Sequence, residues 1–458
     1  MIIMYFRRHQ TPAVFLTLLF TLLVFAACNK ANILSSLSKT ESSDAMLIPA
    51  SNKPNIVIIL GDDIGYDAIA INGNQSFETP NIDRMANDGM NFTQCYGSPL
   101  CSPSRTAFVS GKYNFRNYNE WGVYDLSSKT FANLAKDAGY ATFVAGKWQF
   151  DGGDSAVHTM GFDDYSLWDA IKAGAPGRHY KDPKIYENGA FLSSAKTDGQ
   201  YGDDIFTRRA LRFIKQNRNK QFFVFFPITL CHDPYSPTPD DPAFAGWNSR
   251  NPSDVSWFPS MMKYMDKKVG EIMDSLKTWN LYNNTIVMFA GDNGTPHGIW
   301  YKYNGVLREG GKSLTSERGT HVPLMVTWPA KIAAGSVSRN LVEFQDFFPT
   351  VADAVGVSIM GQYGTMDGTS FYPQLTGASY KPRDWVFNHY QPNTNKGNDQ
   401  LRRWINDTTY KLYDSTDKFY NIYLDPEEEH PIKRSQMTDA EKSLKQRFSD
   451  IMDSLKLP

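Results

Sequence analysis

Cys101, Ser102, Pro103, Ser104 and Arg105 stand in a row that sets a thiol four residues before a guanidinium. If a helix starts at Cys101, that spacing is about one turn, and Arg105 reaches back towards the sulfur. Two pairs, Asp62-Asp63 and Asp292-Asn293, offer oxygen ligands only. Hard oxygen donors suit Ca²⁺ better than Mg²⁺ here, whereas zinc draws in His or Cys. Arg105, Lys147 and Lys312 carry the charge to clamp an anionic group and to offset negative charge that develops as it is cleaved. His232 precedes Asp233-Pro234 and titrates near working pH, which suits a donor to a leaving group. Taken singly, each feature has a plainer reading: a capping Asp pair, a solvated Lys in a glycine-rich loop, a satisfied structural His. Their placement along the chain decides between the two.

Residues 55–60 (N-I-V-I-I-L) form a short, continuous apolar run rich in β-branched side chains. Such a run reads as a strand buried on both faces of a parallel sheet. Residues 141–145, 222–228 and 285–290 resemble it. Helical patterns at 130–138, 205–216 and 261–276 lie between them, so the spacing predicts an α/β fold with a mostly parallel central sheet flanked by helices. The polar groups follow the strands: Asp62-Asp63 after the first, Lys147 and Gln149 after the second, His232 after the third, Asp292-Asn293 after the fourth. Ligands of open α/β sheets bind outside the carboxyl ends of the strands, so four motifs far apart in sequence are expected at one edge. From 356 to 458 the short runs 385–388, 404–405, 410–413 and 419–425 predict a smaller antiparallel sheet, with an amphipathic helix over 438–455.

The expected organisation is a signal segment at 1–28, a tether at 29–52, a catalytic α/β domain at 53–355 and a C-terminal subdomain at 356–458. Arg7 and Arg8 precede an apolar run over 13–27 that ends in Ala26-Ala27-Cys28. A charged start, an apolar stretch and small residues before the break read as a secretory signal. The Cys after two alanines resembles a bacterial lipobox, which makes Cys28 a lipidated first residue and implies an exported lipoprotein of the periplasm, outer membrane or cell surface. An uncleaved anchor is the alternative, but the run is shorter than the ~20 residues of a spanning helix. Cys95 and Cys231 are left to pair or to remain buried thiols. A net charge of −1 gives no general attraction to nucleic acid. The 14% aromatic content fits sugar or aryl recognition as well as it fits an ordinary large core.

The C-x-P-x-R row continues into Thr106, Ala107, Phe108, Val109, Ser110, Gly111 and Lys112. That segment resembles the signature of the type I, formylglycine-dependent sulfatases of the alkaline phosphatase superfamily. The resemblance extends through Pro80-Asn81-Ile82-Asp83, Asp346 with Pro349-Thr350, and Leu424-Asp425-Pro426, and so spans residues 54 to about 425. It implies an alkaline-phosphatase-like core and a Cys101 oxidised to an aldehyde by a formylglycine-generating or anaerobic sulfatase-maturating enzyme. One hydroxyl of the hydrated aldehyde attacks sulfur, and the other expels sulfate. It implies one Ca²⁺ held by Asp62, Asp63, Asp292, Asn293 and the modified Cys101, with Asp292 holding the proton of the attacking hydroxyl. Arg105, Lys147, His232 and Lys312 take catalytic places.

Two motifs depart from the family. Gln149 replaces the His of G-K-W-H, and an amide cannot accept the proton when sulfate leaves. In the stretch from Gly310-Gly311-Lys312 to Val322-Pro323, Arg318 replaces a Gly and His321 an Arg. His297, Trp300, Tyr301, Tyr303 and Arg308 are expected to shape the subsite of a sulfated glycan, since aromatic faces suit sugar rings. Phosphoester or phosphonate-monoester hydrolysis is the alternative within enzymes, and a catalytically decayed glycan-binding lipoprotein the alternative outside them.

Overall fold

The computed structural model describes residues 53–170, 177–248, 250–393 and 400–455. The signal, Cys28 and the tether lie outside them. The four expected strands are present as Asn55–Gly61, Ala141–Lys147, Phe222–Pro227 and Thr285–Gly291. Together with Asp164–Trp168 they form the parallel heart of the central sheet, in the order Thr285, Asn55, Phe222, Ala141, Asp164. His321–Thr327 adds antiparallel to the Thr285 strand, and Met90–Tyr96 adds antiparallel beyond it. Every residue of the Asn55 strand is buried. Ile56, Ile58 and Leu60 face one apolar core, and Val57 and Ile59 the other. This is why the run lacks a polar alternation: both faces are covered by helices.

Gly202–Gln216 and Phe258–Thr278 lie on the Val57 side, and Cys101–Ser110, Phe131–Asp137 and Phe347–Val355 on the other. Thr130 caps the Phe131 helix in a reciprocal capping box with Asn133. The C-terminal sheet is antiparallel in chain order: Val386–Tyr390, Arg402–Asn406, Tyr410–Tyr413, Phe419–Asn421. Asp439–Ser454, capped by Thr438 with Glu441, packs Phe448 and Met452 onto Phe387, Ile405 and Leu412. Cys95 and Cys231 are free buried thiols. No described helix is long and apolar enough to cross a membrane.

Candidate active site

Register brings the acidic pairs together. Gly61 pairs with Gly291 in neighbouring parallel strands, so Asp62-Asp63 and Asp292-Asn293 leave the sheet side by side. A Cβ on Gly291 would sit 1.9 Å from the carbonyl oxygen of Ile64, so only glycine lets the two turns close. The Asp63 N–H donates to Asp292 Oδ1 at 2.9 Å, and Asn293 Nδ2 donates to Asp63 Oδ1 at 2.9 Å. Main-chain bonds then tie the third strand end to this turn: Asp62 N–H to Leu230 O at 2.9 Å, and Cys231 N–H to Asp62 O at 2.8 Å. They set His232 beside the acids. Asp62, Asp63 and His232 each offer a ligand atom within 4.8 Å of the others.

A helix does start at Cys101. Pro103 falls in its first turn, where a missing N–H costs nothing. One turn on, Arg105 is wholly buried, with Nε and one terminal nitrogen 3.0 and 2.8 Å from Asp292 Oδ2. Its other terminal nitrogen donates to the Lys147 carbonyl at 3.2 Å. Lys147 Nζ lies 2.6 Å from Asp62 Oδ2, and Lys312 Nζ 2.6 Å from Asp63 Oδ2. The Lys312 loop is pinned on both sides, by its own N–H to Thr295 O at 2.8 Å and by Ser313 N–H to Pro99 O at 2.9 Å. Gln149 Nε2 lies 3.1 Å from Cys101 Sγ. The structure thus gathers Asp62, Asp63, Cys101, Arg105, Lys147, Gln149, His232, Asp292, Asn293 and Lys312 at one edge of the sheet.

Burial and charge act against each other here. Burial pushes the Cys101 thiol up, although Lys147 and Lys312 favour its ionised form. Burial and the neighbouring Asp62 raise Asp292 to about 7 against the pull of Arg105. Burial would also raise Asp62, but Lys147, His232 and Arg105 outweigh it and hold that carboxyl below the usual range. His232 is lowered by burial and Lys147, opposed by Asp62 and Asp63. Its Nδ1 sits 2.7 Å from the Asp233 carbonyl oxygen, an acceptor only, so the proton is on Nδ1 and Nε2 is left for another partner. A hard cation fits the oxygen set. Asp62, Asp63, Asp292 and Asn293 are at most 1% exposed; Asn293 Oδ1 is buried without a hydrogen-bond donor, and Asp62 Oδ1 has only the Arg105 guanidinium at 3.6 Å, beyond hydrogen-bond reach. Such oxygens need a donor or a cation to offset their lost hydration.

The expected subsite is only partly assembled. Trp300 is 59% exposed and His297 half exposed, but Tyr301 is 1% exposed and packs on Phe77, so its assignment to the substrate is corrected. Alternation along the strand Trp300–Tyr303 turns Trp300 and Lys302 outwards and Tyr301 into the core. Arg308 is engaged by Glu427 at 2.8 Å and Asp67 at 3.4 Å, over the ring of Tyr303. His321 is a packing residue, stacked between Tyr66 and Tyr96. Two aromatics were missed. Burial raises the phenols of Tyr118 and Tyr390, and the charge of position 101 adds a smaller push to each, which sets both rings in its neighbourhood. Tyr390 comes from the C-terminal sheet, and no local sequence signal ties it to residue 101.

The Sulfatase family profile matches residues 54–357, and that of the N-sulphoglucosamine sulphohydrolase C-terminal region matches 311–454. The N-acetylgalactosamine-6-sulfatase of Mus musculus is 29% identical over 389 residues, which cover 75% of this chain and 70% of that protein. A crystal structure of Ps i-CgsB with k-i-k-neocarrahexaose superposes with a TM-score of 0.72 at 23% identity, over 88% of this chain and 92% of that one. A structure holding its substrate D-glucosamine-2-N,6-O-disulfate gives 0.69 at 22% identity, over 88% and 98%. At those identities the structural likeness is one of fold. The profile and the curated relative carry the assignment further: this chain belongs to the sulfatase family, hydrolases of sulfuric esters built on the alkaline phosphatase-like fold.

Proposed function

We propose that the protein removes sulfate from a sulfated carbohydrate, using a formylglycine made from Cys101 and one bound Ca²⁺. The observation that supports this best is geometric: Cys101 starts the helix whose Arg105 grips Asp292, with Gln149 3.1 Å from its sulfur, and Lys147 and Lys312 pair with Asp62 and Asp63 at the same sheet edge. Asp62, Asp63, Asp292 and Asn293, completed by the modified Cys101, would hold the cation, which when bound draws charge from the sulfate and lowers the proton affinity of a nearby hydroxyl. Formylglycine, in its hydrated form, supplies the hydroxyl that attacks sulfur. Lys147 and Lys312 take the anionic sulfate oxygens, and Arg105 fixes Asp292, our choice for holding the nucleophile's proton. His232 Nε2 is available to the leaving-group oxygen, since its Nδ1 is occupied by the Asp233 carbonyl. Gln149 orients position 101 through its amide.

In this reading the protein is exported and anchored through a lipid on Cys28, and a separate maturation enzyme modifies Cys101. Incorporation of labelled lipid that is lost in Cys28→Ser checks the first point. The main test is the mass of the peptide containing Cys101, in protein made alongside an active maturation enzyme, paired with sulfate release from sulfated saccharides. Conversion of the thiol to an aldehyde with sulfate release supports the proposal. An unmodified thiol overturns it, and faster cleavage of phosphonate monoesters than of sulfate esters would favour the phosphonate reading.

A further inference from the structure

Three non-glycine residues just beyond strands of the central sheet take the left-handed conformation with φ of 62°: Asp63, Gln149 and Asp169. That conformation is strained for most side chains, is best tolerated by Asp and Asn, and collects at functional sites. Asp63 and Gln149 belong to the site described above. Asp169 ends the strand Asp164–Trp168 and has been given no role.

Its position is set by register. Trp168 pairs with Lys147 in the neighbouring strand, and the Trp148 N–H donates to the Trp168 carbonyl at 2.9 Å. Asp169 therefore leaves the same sheet edge one strand over from the anion-binding lysine. The charges that act on its carboxyl include those of Lys147, His232 and Arg105. Trp168 also supports His179, whose ring centroid lies 4.2 Å from its own and 6.2 Å from that of His232. His179 is only 4% exposed, and its Nε2 is buried without a hydrogen-bond partner. A buried imidazole nitrogen left unpaired next to Trp168, Tyr180 and His232 is costly unless a ligand completes it.

A carboxylate accepts hydrogen bonds and donates none, and it repels sulfate. Asp169 is therefore suited to a part of the substrate beyond the ester, next to the Lys147 that would hold the sulfate. We infer that Asp169 and His179 recognise the sugar ring that bears the sulfate, and that they select rings presenting hydroxyl or amino donors over uronic acids. For the ester end this rests on the sulfatase reading above. Asp169 accepts from the ring's donors, His179 supplies the second polar contact, and a sugar carboxylate is excluded by like charge.

The test is calorimetric binding to the full chain carrying Cys101→Ala, which cannot turn substrate over. The probes are galactose 6-sulfate, glucosamine 6-sulfate, a glucuronic acid sulfate and inorganic sulfate. The parent should favour the first two over the uronic acid by about tenfold or more. Asp169→Asn keeps the size and the tolerance of left-handed backbone, and should lose about tenfold to a hundredfold on the hexose sulfates, the worth of a hydrogen bond to a charged group. It should also gain affinity for the uronic acid sulfate, a gain that mere damage cannot produce. His179→Gln should weaken the hexose sulfates without that gain. Unchanged ratios in Asp169→Asn, while the parent binds inorganic sulfate, overturn the inference and leave the sulfatase reading intact. A parent that binds neither inorganic sulfate nor any sugar sulfate sinks both.

Discussion

Gln149 Nε2 donates to Cys101 Sγ across 3.1 Å, and the same side chain's Oε1 is buried without a partner. The residue facing the nucleophile can therefore give and accept a hydrogen bond but cannot take a proton. Family members with a His in this place have a base there, and a positioned base contributes about 10²–10⁴-fold where proton transfer limits the rate. Gln149→His should raise kcat by tenfold or more on this scale and introduce an acid limb in the pH profile near the ordinary His range. His also tolerates the left-handed backbone at this position, so the fold is kept. Steady-state kinetics from pH 5 to 9 decide the matter; an unchanged kcat with no new limb would mean that another group already serves as base.

The Lys147–Asp62 pair predicts a linked loss of activity and stability. Lys147 is 1% exposed, and its Nζ lies 2.6 Å from Asp62 Oδ2. Lys147→Ala removes one anion-clamping donor, which typically costs ~10²–10³ in kcat. It also leaves Asp62 buried with less compensation, a loss of about 3–5 kcal/mol for a broken buried pair. Asp62→Asn combined with Lys147→Met should recover much of the stability and none of the activity. Denaturant melts and turnover on one sulfate ester, measured on the same preparations, separate the two effects.

Much of this site was legible because its strands are buried on both faces. A continuous apolar run marks both the element and its carboxyl end, whether it stops at a glycine, as before Asp62 and Asp292, or not, as before His232. The strands Met90–Tyr96 and Asp164–Trp168 were not visible, since Thr93, Gln94 and Ser166 interrupt their apolar pattern. His321–Thr327 was read only as a motif, although its side chains are buried from Val322 onwards. Tyr301 was misplaced because a four-residue hairpin strand does not reveal which of its faces is covered. Asp169 reaches the site by the pairing of its strand with Ala141–Lys147, and the strand of Tyr390 is held there by Asn388, which bonds Gly97 and Ser98; no local pattern encodes either link.

Glu317 and His321 predict an unusual pH dependence of stability. Their closest polar atoms are 3.6 Å apart, and burial favours the uncharged form of each between about pH 4 and about pH 7. Burial pushes Glu317 from 4.5 up to about 7, with Lys411 opposing, and burial lowers His321 from 6.5 to about 4, with the Thr93 carbonyl opposing. Glu317's contribution is complete below 4.5 and is lost as pH rises through about 7; His321's is complete above 6.5 and is lost as pH falls through about 4. Between pH 4.5 and 6.5 the folded pair binds one proton and so does the unfolded pair, which makes their joint slope close to zero. Glu317→Gln removes one half. Relative to the parent, it should lose stability on acidification from 6.5 towards 4, by up to about 3 kcal/mol at ~1.4 kcal/mol per unit. Urea melts of both proteins across that range test it, and parallel curves would show that the two groups are not neutral together.

Cation binding should be visible without any turnover. Asp62, Asp63 and Asp292 bring three carboxylates into one buried edge, and Asp62 Oδ1 and Asn293 Oδ1 have no donor within hydrogen-bond reach. An ion that binds only the folded chain stabilises it by RT ln(1 + [L]/Kd), about 2.7 kcal/mol at a hundred times Kd. Adding Ca²⁺ to chelator-treated protein should raise the melting temperature by several degrees, and Mg²⁺ should do less, since it demands a stricter octahedral set. Asp63→Asn reduces the negative charge of the oxygen set, so it should weaken the Ca²⁺ response by shifting its midpoint to higher concentration. It also removes the ionic partner of Lys312, whose Nζ lies 2.6 Å from Asp63 Oδ2, so a lower starting melting temperature is expected as well. The diagnostic quantity is therefore the Ca²⁺-dependent increment measured within each protein. Equal increments at equal concentrations in parent and variant would place the ion elsewhere and remove these four side chains from the proposed metal site.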